Sequence, residues 1–565
     1  MEERRGDPQL SGNEEDLWDE GAAVDELYDG DTYKRYIMLA CACLLGLGSM
    51  ARVNRHFGAY VLGPIKSSLK TSETGFASFI ASFELLNTIT PLLSGFLVPR
   101  YGAANVGIFA TGFVLLGQII VCFSQDDGHF HPISITGTIS GLLLFGGGIS
   151  PVSVVQETII LSSNTSKTSS VGRSVALGLV LGKTSSFLAG ASSDWLHSIS
   201  PRLPFAVASG FALISFIACL VFARVEKSLS HFPRRQPSSL AAQPTHKHGP
   251  VNLASYAHYG DPFWLYIAIC CFAGTWYTTI HLSTNLLQAV YDIEQGPASK
   301  AASILLLSPT FLYPLAGWAL DKRPDLMSTL YLSVPTGLAC SFFALIFLSS
   351  VVPYTLAFLG GAISCGFGPL LSVLVVPRIV GPERISAALA LHKSLEMAGA
   401  ISFQSISGYL LSLSEPIDHS DDRTKPHATH DNPDSTLFFL LAASLVQLGL
   451  VAAFWGLMRR RGLDAWGSSV PVEGKEPSLD QASSLRMRVS TERLRGARGE
   501  EEQYGLLTGS NDANDGEEDE DEEGDSLEGI VKLAPDEARR GRRYLIIAGV
   551  VVLFSWVCFA VDLLR

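Results

Sequence analysis

Apolar residues in this chain gather into runs of roughly 20 to 30 positions separated by short polar joints, long enough at 1.5 Å per helical residue to cross a bilayer. Six runs lie between Tyr36 and Phe222, at 36–65, 74–98, 103–123, 133–161, 172–195 and 203–222. Six more lie between Pro262 and Met458, at 262–290, 298–320, 326–352, 354–376, 385–413 and 437–458. A last run covers Tyr544 to Leu563 behind Arg539, Arg540, Arg542 and Arg543. A basic cluster followed by about twenty mostly apolar residues predicts a thirteenth span with its C-terminus outside.

The predicted fold is therefore an all-α polytopic membrane protein of 6+6 transmembrane helices plus an additional C-terminal helix. Its expected parts are a disordered acidic tail over 1–35, a six-helix bundle over 36–223, a cytosolic linker over 224–261 and a second six-helix bundle over 262–458. A disordered acidic cytosolic tail over 459–543 and the additional helix over 544–563 complete it. Composition agrees, since 47% apolar and 17% charged residues over 565 positions are too apolar for a soluble protein of this size. The net charge of −13 gathers largely in two tails, Met1 to Asp31 and Glu500 to Asp525, so it gives no reason to expect a nucleic-acid partner. All nine cysteines sit in apolar runs without a CxxC pair, which argues against a disulfide framework or a zinc site. The first thirty residues are acidic and lack an apolar core, so no cleavable signal peptide is expected. Lysine and arginine concentrate in the loops that are cytosolic if the N-terminus is cytosolic, which places the sequon at Asn164 inside and predicts no N-glycan.

Charges within spans are costly and mark functional candidates. The eleventh run carries His392, Lys393 and Glu396, and its stretch from Leu391 to Gly399 lines up with Leu181 to Gly190 in the fifth, setting Lys183 on Lys393. One lysine helix per half predicts a shared site. His392, Lys393 and Glu396 stand at helical spacing, so they can also neutralise one another. Glu84 and Asn87, one turn apart in the second run, serve either as a proton or amine site or as a structural pair. Glu157 in the fourth run is a further acidic candidate. Tyr277 and His281, near Trp276 in the seventh run, together with Tyr313 in the eighth, either line a cavity or pack. No catalytic triad, metal-binding motif or phosphate-cradling loop occurs, so no enzyme, metal or cofactor is expected. In the tail, Glu502, Tyr504, Leu506 and Leu507 match an acidic dileucine pattern overlapping a tyrosine signal, of the kind sorting adaptors bind.

The end of the second run keeps Gly95, Arg100 and Gly102, and the end of the eighth reads Gly317-Trp-Ala-Leu-Asp321-Lys322. Both resemble the G-x-x-x-D-[RK] signature of the major facilitator superfamily, in which the glycine permits close packing and the acid and base form a cytosolic gate. Pro99 replaces the acid in the first copy. LGLGS and HFGAYVLGPI, FGGGISPVSVVQET, LGLVLGKTSS and VVPRIVGPERISAALALHKSLEMAGAI resemble the lysosomal dipeptide transporters within that superfamily. The likeness implies export of dipeptides from a lysosome or vacuole by alternating access, Lys183 as the group meeting the substrate carboxylate, and a glycosylated accessory membrane protein as partner. The acid this family carries in the fourth span falls near Ser150, with Glu157 two turns on, and Met50 to Arg55 stands as an insertion. Two other readings stay open. One is a proton-coupled monocarboxylate or other organic anion carrier, and the other a non-transporting nutrient sensor or scaffold. The plasma membrane is the alternative location.

Overall fold

A helix satisfies its own backbone polar groups, so in lipid it is the one open-ended element that can span. A computed structural model describes residues 33, 36–48, 73–124, 135–163, 171–200, 202–230, 256, 259–381, 384–412, 434–461 and 535–564, with the backbone alone over 73–85. The first half consists of α1 (Tyr36–Gly48), α2 (Glu73–Tyr101), α3 (Ala103–Phe123), α4 (Ile135–Ser163), α5 (Val171–Ile199) and α6 (Leu203–Ser230). The second consists of α7 (Asp261–Tyr291), α8 (Gly296–Lys322), α9 (Leu326–Phe347), α10 (Leu359–Ile379), α11 (Ile385–Ser412) and α12 (Asp434–Arg460). The chain closes with α13 (Pro535–Leu564).

Within the first half α3 packs on α4 and α6, and within the second α9 packs on α10 and α12. The halves meet along two seams, α2 against α11 and α5 against α8. Adding six to each first-half number and subtracting six from each second-half number converts one seam into the other, as expected for two repeats related by a pseudo-two-fold axis along the membrane normal. Large apolar side chains such as Phe109, Phe123, Phe311, Phe347 and Leu445 point outward and are exposed. In water this surface would associate; against acyl chains it is matched. Buried hydroxyls bond their own helix, as Thr111 does to the Gly107 carbonyl at 2.7 Å and Thr279 to that of Thr275 at 2.6 Å. Their cost in lipid is thereby reduced.

Several boundaries differ from the hydropathy reading. The ninth span ends at Phe347 and the tenth begins at Leu359, leaving 348–358 as a series of turns around Pro353. The sixth helix continues to Ser230, past Phe222, because charged residues at a helix end can stay in the aqueous phase while the backbone bonds go on. The last helix begins at Pro535, so the four arginines lie on it. Breaks at Ala273 in α7 and Ser303 in α8 divide helices that read as continuous. Met50 to Arg55 and Asn164 lie outside the described residues.

Candidate functional site

Lys393 of α11 lies within ion-pair distance of carboxylates from both halves. Its Nζ is 3.2 Å from Glu157 Oε1 of α4 and 3.1 Å from Glu396 Oε2, one turn further along its own helix. The two carboxylates are buried and the lysine nearly so, with 4%, 1% and 12% of their side-chain surface exposed. Opposite charges so close in a poorly solvated place offset much of the desolvation each would suffer alone. The network continues away from the centre. His392 Nε2 lies 3.7 Å from Glu396 Oε2, while its Nδ1 is 2.9 Å from the Tyr266 hydroxyl, which donates to the Ser372 carbonyl at 2.8 Å. Tyr277 donates to Glu396 Oε1 at 3.3 Å. The eleventh helix thus pairs within itself through Lys393 and Glu396, and its lysine bonds to the opposite half as well.

A cavity beside this cluster is lined by Glu157, Lys183, Tyr277, Tyr313 and Lys393, among others. A second shares Lys183, Ser186, Tyr277 and Pro369 with it and extends to Trp276 and His281. Both lysines line this first cavity, and each lies roughly 12 to 18 Å along its helix from the N-terminal end. The Trp276 indole N–H and the Tyr313 hydroxyl are buried and have no hydrogen-bond partner among the described residues. A buried donor without an acceptor costs about 1–3 kcal/mol. Two of them beside a cavity suit a site completed by a ligand's oxygen atoms.

On the side of the cavity toward the start of α5 and the end of α8, the two seams are closed. In α5–α8, Asp321 accepts from the backbone N–H groups of Gly172 at 2.8 Å and Arg173 at 3.1 Å, and from Arg173 Nε at 2.8 Å. A carboxylate there sits on the positive end of the α5 dipole. Gly317 makes this approach possible, because a Cβ at that position would lie 2.6 Å from the Gly172 carbonyl oxygen and 2.7 Å from Ala176. The base of this gate is Arg173 of the other half rather than Lys322. Lys322 follows Trp318 by one helical turn, so its ammonium group lies over that ring, 4.2 Å from the centroid. In α2–α11, a Cβ on Gly95 would collide with Ala390, and Ser394 donates to the Thr88 carbonyl. Arg100 is exposed with its guanidinium near the Tyr101 ring, and Gly102 takes φ 83° at the α2–α3 turn, where a side chain would be strained. The first copy of the motif thus supplies packing and a turn, while the second supplies the charged contact.

Asn87 accepts from Ser150 at 2.8 Å and joins α2 to α4, and it is not among the residues lining either cavity. Of the two readings open for Asn87, this bond is the structural pair, made by the polar group at the Ser150 position that marked a departure from the dipeptide transporters. The Glu84 side chain and the sorting residues Glu502, Tyr504, Leu506 and Leu507 lie outside the described residues. Tyr266, Arg173 and Gln156, whose Nε2 donates to the Gly178 carbonyl at 2.8 Å, were not picked out by sequence. Tyr266 and Gln156 are polar residues in apolar runs, a signal that hydropathy averages away.

The helical fold has counterparts among solved structures. The proton:xylose symporter XylE bound to 6-bromo-6-deoxy-D-glucose aligns with a TM-score of 0.53 and 12% identity, covering 75% of this chain and 96% of that one. The transporter FucP in its outward conformation aligns at 0.53 and 15% identity, covering 74% and 99%. A variant of the E. coli fucose:proton symporter FucP aligns at 0.50 and 13%, covering 74% and 99%. At such identities the likeness concerns the fold. No curated protein matches the sequence. The family description "Major Facilitator Superfamily" matches residues 38–404, most of the two bundles. With both seams, the paired lysines and this match in place, the chain belongs to the major facilitator superfamily of membrane transporters, which move small molecules without an enzymatic step.

Proposed function

We propose that this transporter carries small zwitterionic solutes, dipeptides above all, out of a lysosome or vacuole by rocking its two halves around the central cavity. The observation that carries the reading is the charge set beside that cavity. Lys183 and Glu157 from the first half stand with Lys393 from the second, and Glu396 bonds to Lys393 from behind. Two positive and two negative groups hold no net charge, which matches a solute bearing one ammonium and one carboxylate better than it matches a simple anion. In this scheme Lys183 receives the solute carboxylate. The solute ammonium competes with Lys393 for Glu157 and so weakens a bond between the halves. Trp276 and Tyr313 offer donors to peptide or carboxylate oxygens. Binding and opening toward the cytosol are then one event, because the solute replaces interactions that the closed state makes with itself.

Support for the cargo and the address comes from the resemblance to lysosomal dipeptide transporters, and for the address also from the Glu502 to Leu507 motif, which sorting adaptors would read. The same resemblance implies a glycosylated accessory membrane protein beside the carrier. The test is uptake by vesicles reconstituted with the full chain, offered labelled dipeptide, monocarboxylate and hexose at two lumenal pH values. Dipeptide is expected to be moved, with Lys183→Ala folded but inactive. Transport of the monocarboxylate alone would select an organic anion carrier, and unchanged dipeptide uptake by Lys183→Ala would remove the site.

A further inference from the structure

The last helix lies across the seam that has to part. It packs against α11 and α7 of the second half and against α2 of the first. The face it turns inward is narrow: Glu537, Gly541, Ala548 and Ser555 are buried, whereas Ile546, Ile547, Val550, Leu553, Phe554, Val557 and Val561 are exposed. Small residues on that face bring the backbones close.

Its attachment to the two halves is unequal. At the cytosolic end, Arg540 donates to Asp261 of α7 through Nη2 at 2.8 Å and Nε at 3.3 Å, and Glu537 pairs with Arg461, just past the end of α12. Tyr544 rests near Trp264 of α7, with ring centroids 5.9 Å apart. These contacts tie α13 to the second half. Among the described residues, Trp556 bonds it to the first half, its indole N–H donating to Thr88 Oγ1 of α2 at 2.9 Å. Thr88 is fully buried, and its carbonyl accepts from Ser394 of α11. One residue of α2 is therefore held twice, by α11 within the seam and by α13 from the lipid side.

We infer that α13 is a brace across the rocking halves, and that Trp556 and Thr88 are positioning residues that favour the cytosol-closed arrangement. Opening toward the cytosol separates α2 from α11. A helix fixed to the second half moves with α11, so the Trp556–Thr88 bond has to break in that step. The brace slows or opposes opening without touching the solute. It goes beyond the proposed cargo, because it depends on the two-half architecture alone.

The test uses the full chain with its native cysteines replaced and spin labels on Asn105→Cys, at the start of α3, and Asp325→Cys, just before α9. Both are exposed at the cytosolic ends of opposite halves. Double electron–electron resonance then reads the fraction of molecules with the wide separation, with no solute present. Trp556→Phe keeps the ring and removes the donor, and Thr88→Val removes the acceptor at nearly constant volume. Each is expected to raise the wide-to-narrow ratio roughly threefold to tenfold, the range for one interhelical hydrogen bond in a membrane protein. Thr88→Ser keeps the oxygen and is expected to restore the parent ratio, which a role in packing alone would not produce. The double variant is expected to equal either single one. If Trp556→Phe and Thr88→Val both leave the ratio at the parent value, or lower it, the brace is refuted. Additive effects in the double variant refute it as well. Because no cargo enters the measurement, loss of the dipeptide reading would leave this result standing.

Discussion

Replacing Glu157 by Gln removes the bond between Lys393 and the opposite half while keeping side-chain size. Two unit charges 3.2 Å apart interact by about 5 kcal/mol at an effective dielectric constant of about 20. Desolvation offsets most of this, and a pair broken on one side usually costs about 3–5 kcal/mol because the remaining charge is stranded. Here Lys393 keeps Glu396 at 3.1 Å, so no stranded ammonium group results. The cost then falls to about 1–2 kcal/mol, borne only by the closed state in which α4 meets α11. At about 1.4 kcal/mol per tenfold change, the cytosol-open fraction is expected to rise roughly fivefold to thirtyfold. Spin labels at positions 105 and 325 read that fraction, and thermal unfolding reads stability. Lys393→Met provides the contrast, because it leaves Glu157 and Glu396 buried without their shared cation and is expected to lower stability by about 3–5 kcal/mol. An unchanged open fraction in Glu157→Gln, or a Lys393→Met protein as stable as Glu157→Gln, would refute the role assigned to the pair.

Asp321→Asn keeps part of the cap on α5 but loses the charge facing Arg173, so the open fraction should rise by a factor of about five, as expected for about 1 kcal/mol. Gly317→Leu sets a side chain against the Gly172 carbonyl and Ala176, so it should abolish transport and populate the wide state while the protein still inserts; active transport by this variant would show that the α5–α8 crossing need not close. Trp276→Phe and Tyr313→Phe each remove a donor with no partner among the described residues. Neither should lower thermal stability, whereas the apparent KM for a dipeptide should rise about threefold to tenfold. Lower stability with unchanged KM would mark those donors as structural.

Much of this architecture was legible in the sequence because lipid imposes a coarse rule. A run of apolar residues must be helical, and a lysine inside it must face a partner or a cavity. Lys183 and Lys393 followed from that rule, and the structure brings both to one cavity. What hydropathy misses depends on helix phase and on neighbours from distant parts of the chain. The Asp321 partner turned out to be Arg173, 148 residues away, and the adjacent Lys322 turned toward Trp318 instead. Asn87 read either as a ligand or as a structural pair, because a polar group in a span signals function, and the Ser150 bond that shows it as a pair joins positions 63 residues apart in sequence. The break at Ala273 is followed by Gly274, a local signal, whereas the break at Ser303 has no glycine or proline beside it. The additional helix was visible by length and its basic flank, but its place across the α2–α11 seam depends on Trp556 meeting Thr88.

In the proposed cycle, a solute with both charges bridges the lysine and carboxylate groups between the halves. Equilibrium binding to the purified full chain tests it most directly, using a dipeptide with free ends, the same dipeptide acetylated at its N-terminus, and the same dipeptide amidated at its C-terminus. Saturable binding of the free dipeptide is expected, with at least about tenfold weaker binding of either capped form and loss of the preference for a free C-terminus in Lys183→Ala, each missing charge leaving a buried partner unmatched. Equal binding of all three by the parent protein, or an undiminished preference for the free C-terminus in Lys183→Ala, would contradict it.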